Sequence, residues 1–307
     1  MKLAVLKERR NGETRVAATP ETVKKYIGMG PEVAVEQGAG LASGITDAAF
    51  AEAGATLAAS AAEALAGAGI VLKVRAPTDE EFAAIGTGAL LIGTLAADAE
   101  AAGRYAGAGI EACSMELLPR ITRAQSMDVL SSQANLAGYR AVIEGAGAYD
   151  KGFPMMMTAA GTVPAANAFI MGAGVAGLQA IATARRLGGR VSATDVRPAA
   201  KEEIKSLGAS FVGYEDEESK AAQTAGGYAK QLSAEFYAKQ AEVVAAHIAK
   251  QDVVVCTALV QGRKAPTLVT AAMVASMKPG SVIVDIAADA GGNCALTQPG
   301  EMVVTEN

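Results

Sequence analysis

Tryptophan is absent from the 307-residue chain, and aromatic side chains make up only 4% of it. Hydrophobic residues still account for 51%, many of them alanine, so we expect aliphatic cores and closely packed helices. A chain of this length typically forms about two domains of roughly 150 residues each. Charged residues are few, and the net charge of −5 comes without a basic stripe, so nucleic acid is not an expected partner.

Cysteine and histidine are scarce as well, at three and one residues. Cys113, Cys256 and Cys294 are far apart and none belongs to a CxxC motif, so neither a disulfide framework nor a zinc site is expected. A reducing cytoplasmic setting fits this pattern. His247 falls inside a predicted helix, where a lone histidine is more often an ordinary helix residue than a catalytic base. We therefore expect no metal site and little side-chain equipment for acid–base catalysis.

Long charge-free runs are limited to one stretch, residues 152 to 184, whose length could span a bilayer. Pro154, Gly161, Pro164 and the glycines from 172 onward would break a single helix there. The stretch is predicted to form a loop, a buried strand and a buried helix, without insertion into a membrane. No secretory signal is expected, because the charges of residues 7 to 10 follow only a short apolar strand.

Short β-branched runs alternate with alanine-rich helical stretches along the chain. Strands are predicted at 3–6, 32–35, 70–74, 89–93, 110–112, 168–171, 191–194, 210–212, 252–257 and 281–286. Helices are predicted at 21–29, 46–53, 60–66, 130–148, 175–187, 202–207 and 234–249. The acidic, glycine-containing stretch 215–230 is predicted to be a solvated mobile loop.

Such alternation is typical of parallel sheets covered by helices on both faces. The sequence thus predicts an α/β protein with two Rossmann-like doubly wound parallel-sheet domains and a cleft between them. The first domain is expected at residues 1–130 and the nucleotide-binding domain at 131–307, with the helix at 130–148 bridging the two.

The strongest motif is the run Gly172-Ala-Gly-Val-Ala-Gly177, which follows a predicted buried strand and opens a helix. In this pattern Gly172 makes the tight turn, Gly174 lets backbone amides approach a pyrophosphate, and Gly177 lets the helix pack against the strand. The helix N-terminus favours the phosphates. Asp195, at the end of the next strand, would accept a hydrogen bond from the adenosine ribose and repel a 2′-phosphate, so NAD(H) is expected over NADP(H). Arg197 weakens that inference, because arginine can pair with a 2′-phosphate.

A second polar motif lies between Pro119 and Asp128, where two arginines, a glutamine and an aspartate follow a predicted strand end. Ligands bind at the carboxyl ends of parallel strands, which favours a binding loop. The alternative is structural: Thr122 or Ser126 caps a helix, while Arg120 and Asp128 form a surface ion pair. The residues alone leave both readings open.

These motifs also carry a family resemblance. The segments MELLPRITRAQSMDVLSSQANLAGYRAV and FPMMMTAAGTVP closely resemble the NAD(H)-binding domain I, or alpha subunit, of proton-translocating nicotinamide nucleotide transhydrogenase. The opening KERRNGETRVAATPETV, the glycine motif, TAGGYAK and MKPGSVIVDIAADAGGNC extend the resemblance over nearly the whole chain. The first and last of these segments are shared with alanine dehydrogenase, a member of the same superfamily.

By motif, the resemblance implies several groups of nucleotide-binding residues. The loop that contacts the nicotinamide and its ribose comprises Arg120, Gln125, Asp128 and Ser131, of which the first three are the catalytic members. The residues that hold the pyrophosphate and adenosine are Gly172, Gly174, Val175, Gly177, Asp195, Val196 and Arg197. A mobile loop that closes on the nucleotide carries Gly227 and Tyr228, and further contact positions are Gln240 and Leu259.

The resemblance implies direct hydride transfer from NADH on this chain to NADP⁺ on a separate domain III, coupled to proton translocation by a membrane domain II. Such a transfer needs only the apposition of two nicotinamide rings, which agrees with the lack of catalytic side chains. The chain is expected to form a cytoplasmic homodimer, peripheral to the inner membrane through its partner subunits. Because the family's soluble domain continues past the PGEMVV strand to complete the first domain, we expect this chain to be truncated or split at Asn307.

Two other functions remain open. An alanine dehydrogenase-like enzyme is favoured by Lys73, which could meet a substrate carboxylate unless it is only a flanking charge at a strand exit. Asp289 also favours it, since a transhydrogenase glutamate would be expected there. The segment 91–96, where relatives of that enzyme place a histidine, has none, and Thr94 would be a weak proton-transfer group. A non-catalytic NAD-sensing module is the other alternative.

Overall fold

A computed structural model describes residues 1–96, 98–119, 121–220, 232–259 and 264–306. Over these ranges the chain divides into two compact units, Met1–Leu130 and Ser131–Asn307. Each unit is built on a parallel β-sheet with helices between its strands, which confirms the predicted α/β class.

In the described part of the first unit, six parallel strands form a sheet in the order β3-β2-β1-β4-β5-β6. The strands are β1 (Lys2–Val5), β2 (Glu32–Glu36), β3 (Thr56–Ala58), β4 (Ala68–Arg75), β5 (Leu90–Thr94) and β6 (Glu111–Ser114). The helices are α1 (Pro20–Gly28), α2 (Asp47–Glu52), α3 (Ala61–Leu65), α4 (Asp79–Ala84) and α5 (Ala99–Gly107). This strand order is that of the doubly wound dinucleotide-binding fold.

Strand periodicity and helix caps account for this arrangement. Successive residues of β1 point to opposite faces of the sheet, so Leu3 and Val5 join one apolar core while Ala4 joins the other. Each of the helices α1 to α5 begins after a residue whose side-chain oxygen accepts a backbone N–H of the first turn. These caps are Thr19, Thr46, Ser60, Thr78 and Asp98.

The second unit follows helix α6 (Val129–Ala148) and a short antiparallel hairpin, β7 (Met156–Thr158) and β8 (Gly161–Val163). Among its described residues, five parallel strands have the order β11-β10-β9-β12-β13. They are β9 (Asn167–Met171), β10 (Arg190–Thr194), β11 (Ser210–Phe211), β12 (Val253–Cys256) and β13 (Val282–Asp285). The helices are α7 (Val175–Arg186), α8 (Pro198–Ser206), α9 (Glu217–Lys220), α10 (Ala234–Ile248) and α11 (Ala271–Ser276).

Two close contacts position α6 on this sheet. A Cβ atom added to Gly138 would lie 2.0 Å from the carbonyl oxygen of Ala176, so α6 lies directly against the first turn of α7. A Cβ atom on Gly145 would lie 2.9 Å from a methyl group of Val253 in β12. The central strand β9 is covered on both faces, since Phe169 packs into one core and Ile170 into the other.

The structure differs from the sequence-based prediction in a few places. The hairpin β7–β8 lies where a loop was predicted, and α9 occupies the beginning of the stretch 215–230 that was predicted to be a loop. Asp216 and Ser219 bond to each other's backbone around α9, which is the local cause of this short helix. The remainder of that stretch, 221–230, is outside the described residues. Over the described ranges, no helix has the length and apolar character needed to cross a membrane.

Candidate dinucleotide site

The turn between β9 and α7 requires glycine at two positions. Gly172 has a φ of +106°, and an added Cβ would lie 2.7 Å from the hydroxyl oxygen of Thr257. That hydroxyl donates to the Gly172 carbonyl at 3.0 Å. A Cβ atom on Gly177 would lie only 1.8 Å from the same carbonyl oxygen. Any side chain at either position would therefore push the helix away from the strand.

Gly174 stands in open space at the beginning of α7. Among the described residues, nothing lies within 4 Å of the position that its Cβ would take, and no side chain caps the helix there. The N–H of Leu178 makes the first intrahelical bond, to the Gly174 carbonyl at 2.8 Å, so the amides before it have no partner within the helix. The first turn of α7 carries no acidic residue. Space, amides without helical partners and the positive end of the helix dipole together fit a pyrophosphate.

Asp195 follows β10 and is fixed to the same turn. Its Oδ2 accepts the Ala173 N–H at 2.8 Å, and its Oδ1 accepts the Arg197 N–H at 2.8 Å. The guanidinium of Arg197 donates from Nε to Oδ1 and from Nη2 to Oδ2, each at 3.0 Å. Asp195 thereby raises the pKa of Arg197 above its ordinary value. The carboxylate lies one turn from the phosphate-binding amides, which is the arrangement needed to bind the adenosine ribose.

Gln240 on α10 holds the neighbouring loop in place. Its Oε1 accepts the Tyr214 N–H at 2.6 Å, while its Nε2 donates to the Thr194 hydroxyl at 2.9 Å. Tyr214 packs beside Val196 in a small apolar cluster with residues of α10 and the loop before it. In this structure the amide of Gln240 therefore positions the loop after β11 and the end of β10, the strand that leads into Asp195.

Asn293 is a site residue that the sequence analysis missed. Its side chain is fully buried and bonds both ends of the loop that carries Leu259. The Ala258 N–H donates to Asn293 Oδ1 at 3.0 Å, and Asn293 Nδ2 donates to the carbonyls of Ala258 and Pro266 at 2.9 and 2.8 Å. Leu259 itself is exposed. The only signal was an asparagine in the glycine-rich GGNC segment, whose partners are distant in sequence.

The polar motif of the first unit contains a 3₁₀ helix, Thr122–Met127, where a loop was predicted. Buried Ala124 fixes this helix to the unit, and Gln125 is exposed. The N–H of Asp128 closes the helix on the Gln125 carbonyl at 3.3 Å. Arg120, Gly227 and Tyr228 lie outside the described residues. Among the predicted site residues that are described, those of the glycine turn and Asp195 share one end of the second sheet, while Gln125 and Asp128 belong to the first unit.

Comparisons with known families agree with this division. The model of the alanine dehydrogenase/PNT N-terminal domain matches residues 4–137, and that of the C-terminal domain matches residues 141–307. The chain belongs to the alanine dehydrogenase/PNT family. Together the two matches cover both units and the whole dinucleotide turn.

Within the alanine dehydrogenase/PNT family, the transhydrogenase members are far more similar to this chain than the alanine dehydrogenases. The first of the two alpha-subunit chains of the NAD(P) transhydrogenase of Rhodospirillum rubrum is 55% identical, over 99% of this chain and 81% of its own. The crystal structure of transhydrogenase from Sinorhizobium meliloti has a TM-score of 0.90 at 53% identity, over 99% of this chain and 83% of its own. The alanine dehydrogenase of Bacillus subtilis is 33% identical, over 95% of this chain and 72% of its own.

Lys73 was a candidate for binding a substrate carboxylate in the alanine dehydrogenase reading, or a flanking charge at a strand exit. The structure shows a third arrangement, because Lys73 lies inside β4 and is only 3% exposed. Its ammonium contacts the carboxylates of Glu81 and Glu8 at 3.0 and 3.6 Å. Burial raises the pKa of Glu8, although Lys73 acts against that shift. A substrate carboxylate would have to displace these internal partners.

Proposed function

We propose that this chain is the NAD(H)-binding component of a proton-translocating NAD(P)⁺ transhydrogenase. Its family membership supports the proposal, as does its high identity to proteins named as transhydrogenase alpha subunits. The lower identity to alanine dehydrogenases makes that alternative the weaker one.

The glycine turn with its adjacent acid is the observation that carries the proposal. Gly172 and Gly177 hold β9 and α7 at contact distance, and Gly174 leaves room beside the amides of the first turn. Asp195 is anchored to that turn through Ala173. Pyrophosphate at the helix and ribose at the carboxylate is the binding mode that this arrangement favours. We infer that Val175, Val196, Gln240 and Leu259 border the bound nucleotide, as do Gly227 and Tyr228.

The proposed reaction is hydride transfer from NADH on this chain to NADP⁺ on a separate domain III. The nicotinamide supplies the hydride, so this chain needs no acid, base or nucleophile for the step. Its contribution is orientation, which makes the transfer effectively intramolecular. We assign this task to Arg120, Gln125 and Asp128, with Ser131 as a further contact. The transfer is proposed to be Re/Si-specific, because each ring presents one fixed face.

Partner subunits are included in the proposal. A membrane domain II would couple the transfer to proton translocation and hold this chain at the cytoplasmic side of the inner membrane. A homodimer is also proposed, since the hairpin β7–β8 is exposed over its whole length and carries large apolar side chains. Exposed apolar patches of this kind typically mark interaction surfaces.

A pair of glycine variants tests nucleotide binding at the proposed place. Gly174→Ala puts a methyl group into the space proposed for the pyrophosphate, and no described protein atom opposes it. We expect the Kd for NADH, measured by equilibrium dialysis, to rise by about tenfold or more, a loss of roughly 1.4 kcal/mol. Gly147→Ala on α6 is the control, because its Cβ would also meet no described atom within 4 Å and a helix favours alanine. Equal NADH affinity of the two variants would contradict the proposed site.

A further inference from the structure

Asp195 and Arg197 form an ion pair that is held by three hydrogen bonds within one short turn. The guanidinium binds both carboxylate oxygens, at 3.0 Å from Nε and 3.0 Å from Nη2. The Arg197 N–H adds a third bond to Oδ1 at 2.8 Å. Two-pronged binding of this kind fixes the guanidinium geometrically as well as by charge.

The pair is also partly withdrawn from water. The side chain of Asp195 is 10% exposed and that of Arg197 is 22% exposed. An ion pair with this shielding and this geometry is stronger than one on an open surface. The carboxylate cannot move to follow a displaced guanidinium, because Oδ2 is held by the Ala173 N–H of the glycine turn.

We propose that Arg197 is a specificity-determining residue: Asp195 holds its guanidinium on the carboxylate and so withholds it from the 2′-phosphate of NADPH. This inference rests on the proposed function, in which the ribose of NAD(H) binds at Asp195. The acid then has two separate effects on a 2′-phosphate. Its charge repels the phosphate, and it occupies the arginine that would otherwise bind it.

The charge balance makes the two effects separable. With both residues present, the pair is neutral, so a 2′-phosphate gains little unless the guanidinium leaves Asp195. When Asp195 is made neutral and keeps its shape, the guanidinium loses its anionic partner and becomes available to the phosphate. A second cation does not replace it directly, since Lys201 on α8 is bonded to the Glu215 carboxylate at 2.6 and 2.7 Å.

The test uses two small probes, adenosine 5′-phosphate and adenosine 2′,5′-bisphosphate, which differ only in the 2′-phosphate. Their Kd values are measured by equilibrium dialysis on the intact chain and on three variants: Asp195→Asn, Arg197→Gln and the double variant. We expect Asp195→Asn to lower the Kd of the bisphosphate relative to the monophosphate by about tenfold or more. In the double variant that gain disappears, because the group that binds the phosphate is gone.

Two results would overturn the inference. One is a gain in bisphosphate affinity that survives in the double variant, since the acid alone would then set specificity. The other is no gain in Asp195→Asn, or in Asp195→Ser should the asparagine variant not fold. NADH binding by the unaltered chain is measured alongside. If NADH binds but the probe ratios do not shift, this inference fails alone; if NADH does not bind at all, the proposed function fails.

Discussion

Gly177 illustrates how tightly single residues constrain the dinucleotide turn. Its missing side chain allows the Gly172 carbonyl to approach within 1.8 Å of where a Cβ would stand. The same carbonyl accepts the Thr257 hydroxyl from the end of β12, so three segments meet at one oxygen atom. Constraints of this kind are local and steric, which is why the glycine spacing alone predicts them.

Gln125 is the residue at which the proposed orientation can be separated from binding. Gln125→Asn withdraws the side-chain amide by one methylene, so we expect hydride transfer to slow by about tenfold or more while the Kd for NADH changes by less than about threefold. Stopped-flow transfer to an added domain III measures the rate, and dialysis measures the Kd. Gln298→Asn, the same change at another exposed position, is the control. A loss confined to NADH affinity would remove Gln125 from the orienting role.

His247 makes the stability of the chain depend on pH. Its Nε2 lies 2.8 Å from the Ser192 hydroxyl, its ring packs on Phe169, and burial lowers its pKa below the ordinary 6.5. The unfolded chain therefore takes up a proton before the folded chain does. Stability from the neutral ring is complete above pH 6.5 and is lost as the pH falls toward the lowered pKa of the folded state.

His247→Gln tests this dependence, because glutamine keeps an amide near the position of Nε2 and cannot titrate. Thermal unfolding at several pH values between about 5 and 8 should show a smaller decline on acidification for the variant than for the unaltered chain. Identical pH profiles of the two proteins would show that His247 is not titrating in this range.

At the scale of elements, the hairpin β7–β8 is the place where the proposed homodimer is most directly testable. Met157 is 78% exposed on the hairpin, and Met302 near the end of the chain is 84% exposed. If the hairpin is covered in a dimer, Met157→Lys buries an unpaired charge there and should raise the dimer Kd by about tenfold or more. Met302→Lys is the matched control. Sedimentation equilibrium that finds both variants as associated as the unaltered chain would contradict the proposal.

The elements also show what a sequence pattern can and cannot predict. The strand predicted at 168–171 and the helix at 175–187 match β9 and α7, since a buried β-branched run and a glycine turn are local signals. The strand β3 and helix α4 were missed because three to six residues are too short for a period to emerge. Helix α5 was missed because glycine and alanine blur the pattern between 89 and 109.

The polar contacts of the site were less predictable than its backbone. The cage around Asn293 joins residues 258, 266 and 285, which only the strand order brings together. Lys73 was wrongly placed at a strand exit, because the acids that bury it, Glu8 and Glu81, come from other elements. Long-range partners of this kind leave no spacing signal in the chain.

At the scale of the whole molecule, the family contains two kinds of enzyme that share this architecture. An alanine dehydrogenase acts alone, whereas the proposed transhydrogenase component needs a second nucleotide-binding domain. We expect the purified chain to form no NADH from NAD⁺ and L-alanine, because the segment 91–96 offers no histidine and Lys73 is already held by two carboxylates. Absorbance at the NADH band measures this. Alanine-dependent NADH formation would favour the dehydrogenase.

The central claim is tested most directly by mixing the purified chain with the NADP-binding domain III of a transhydrogenase, without any membrane. The account predicts hydride transfer between NADH and an NADP⁺ analogue that depends on both proteins and fails with Gly174→Ala but not with Gly147→Ala. Transfer needs only that this chain bind NADH and orient its ring toward a second one. Tight NADH binding without any transfer to domain III would contradict the account and leave a nucleotide-sensing module in its place.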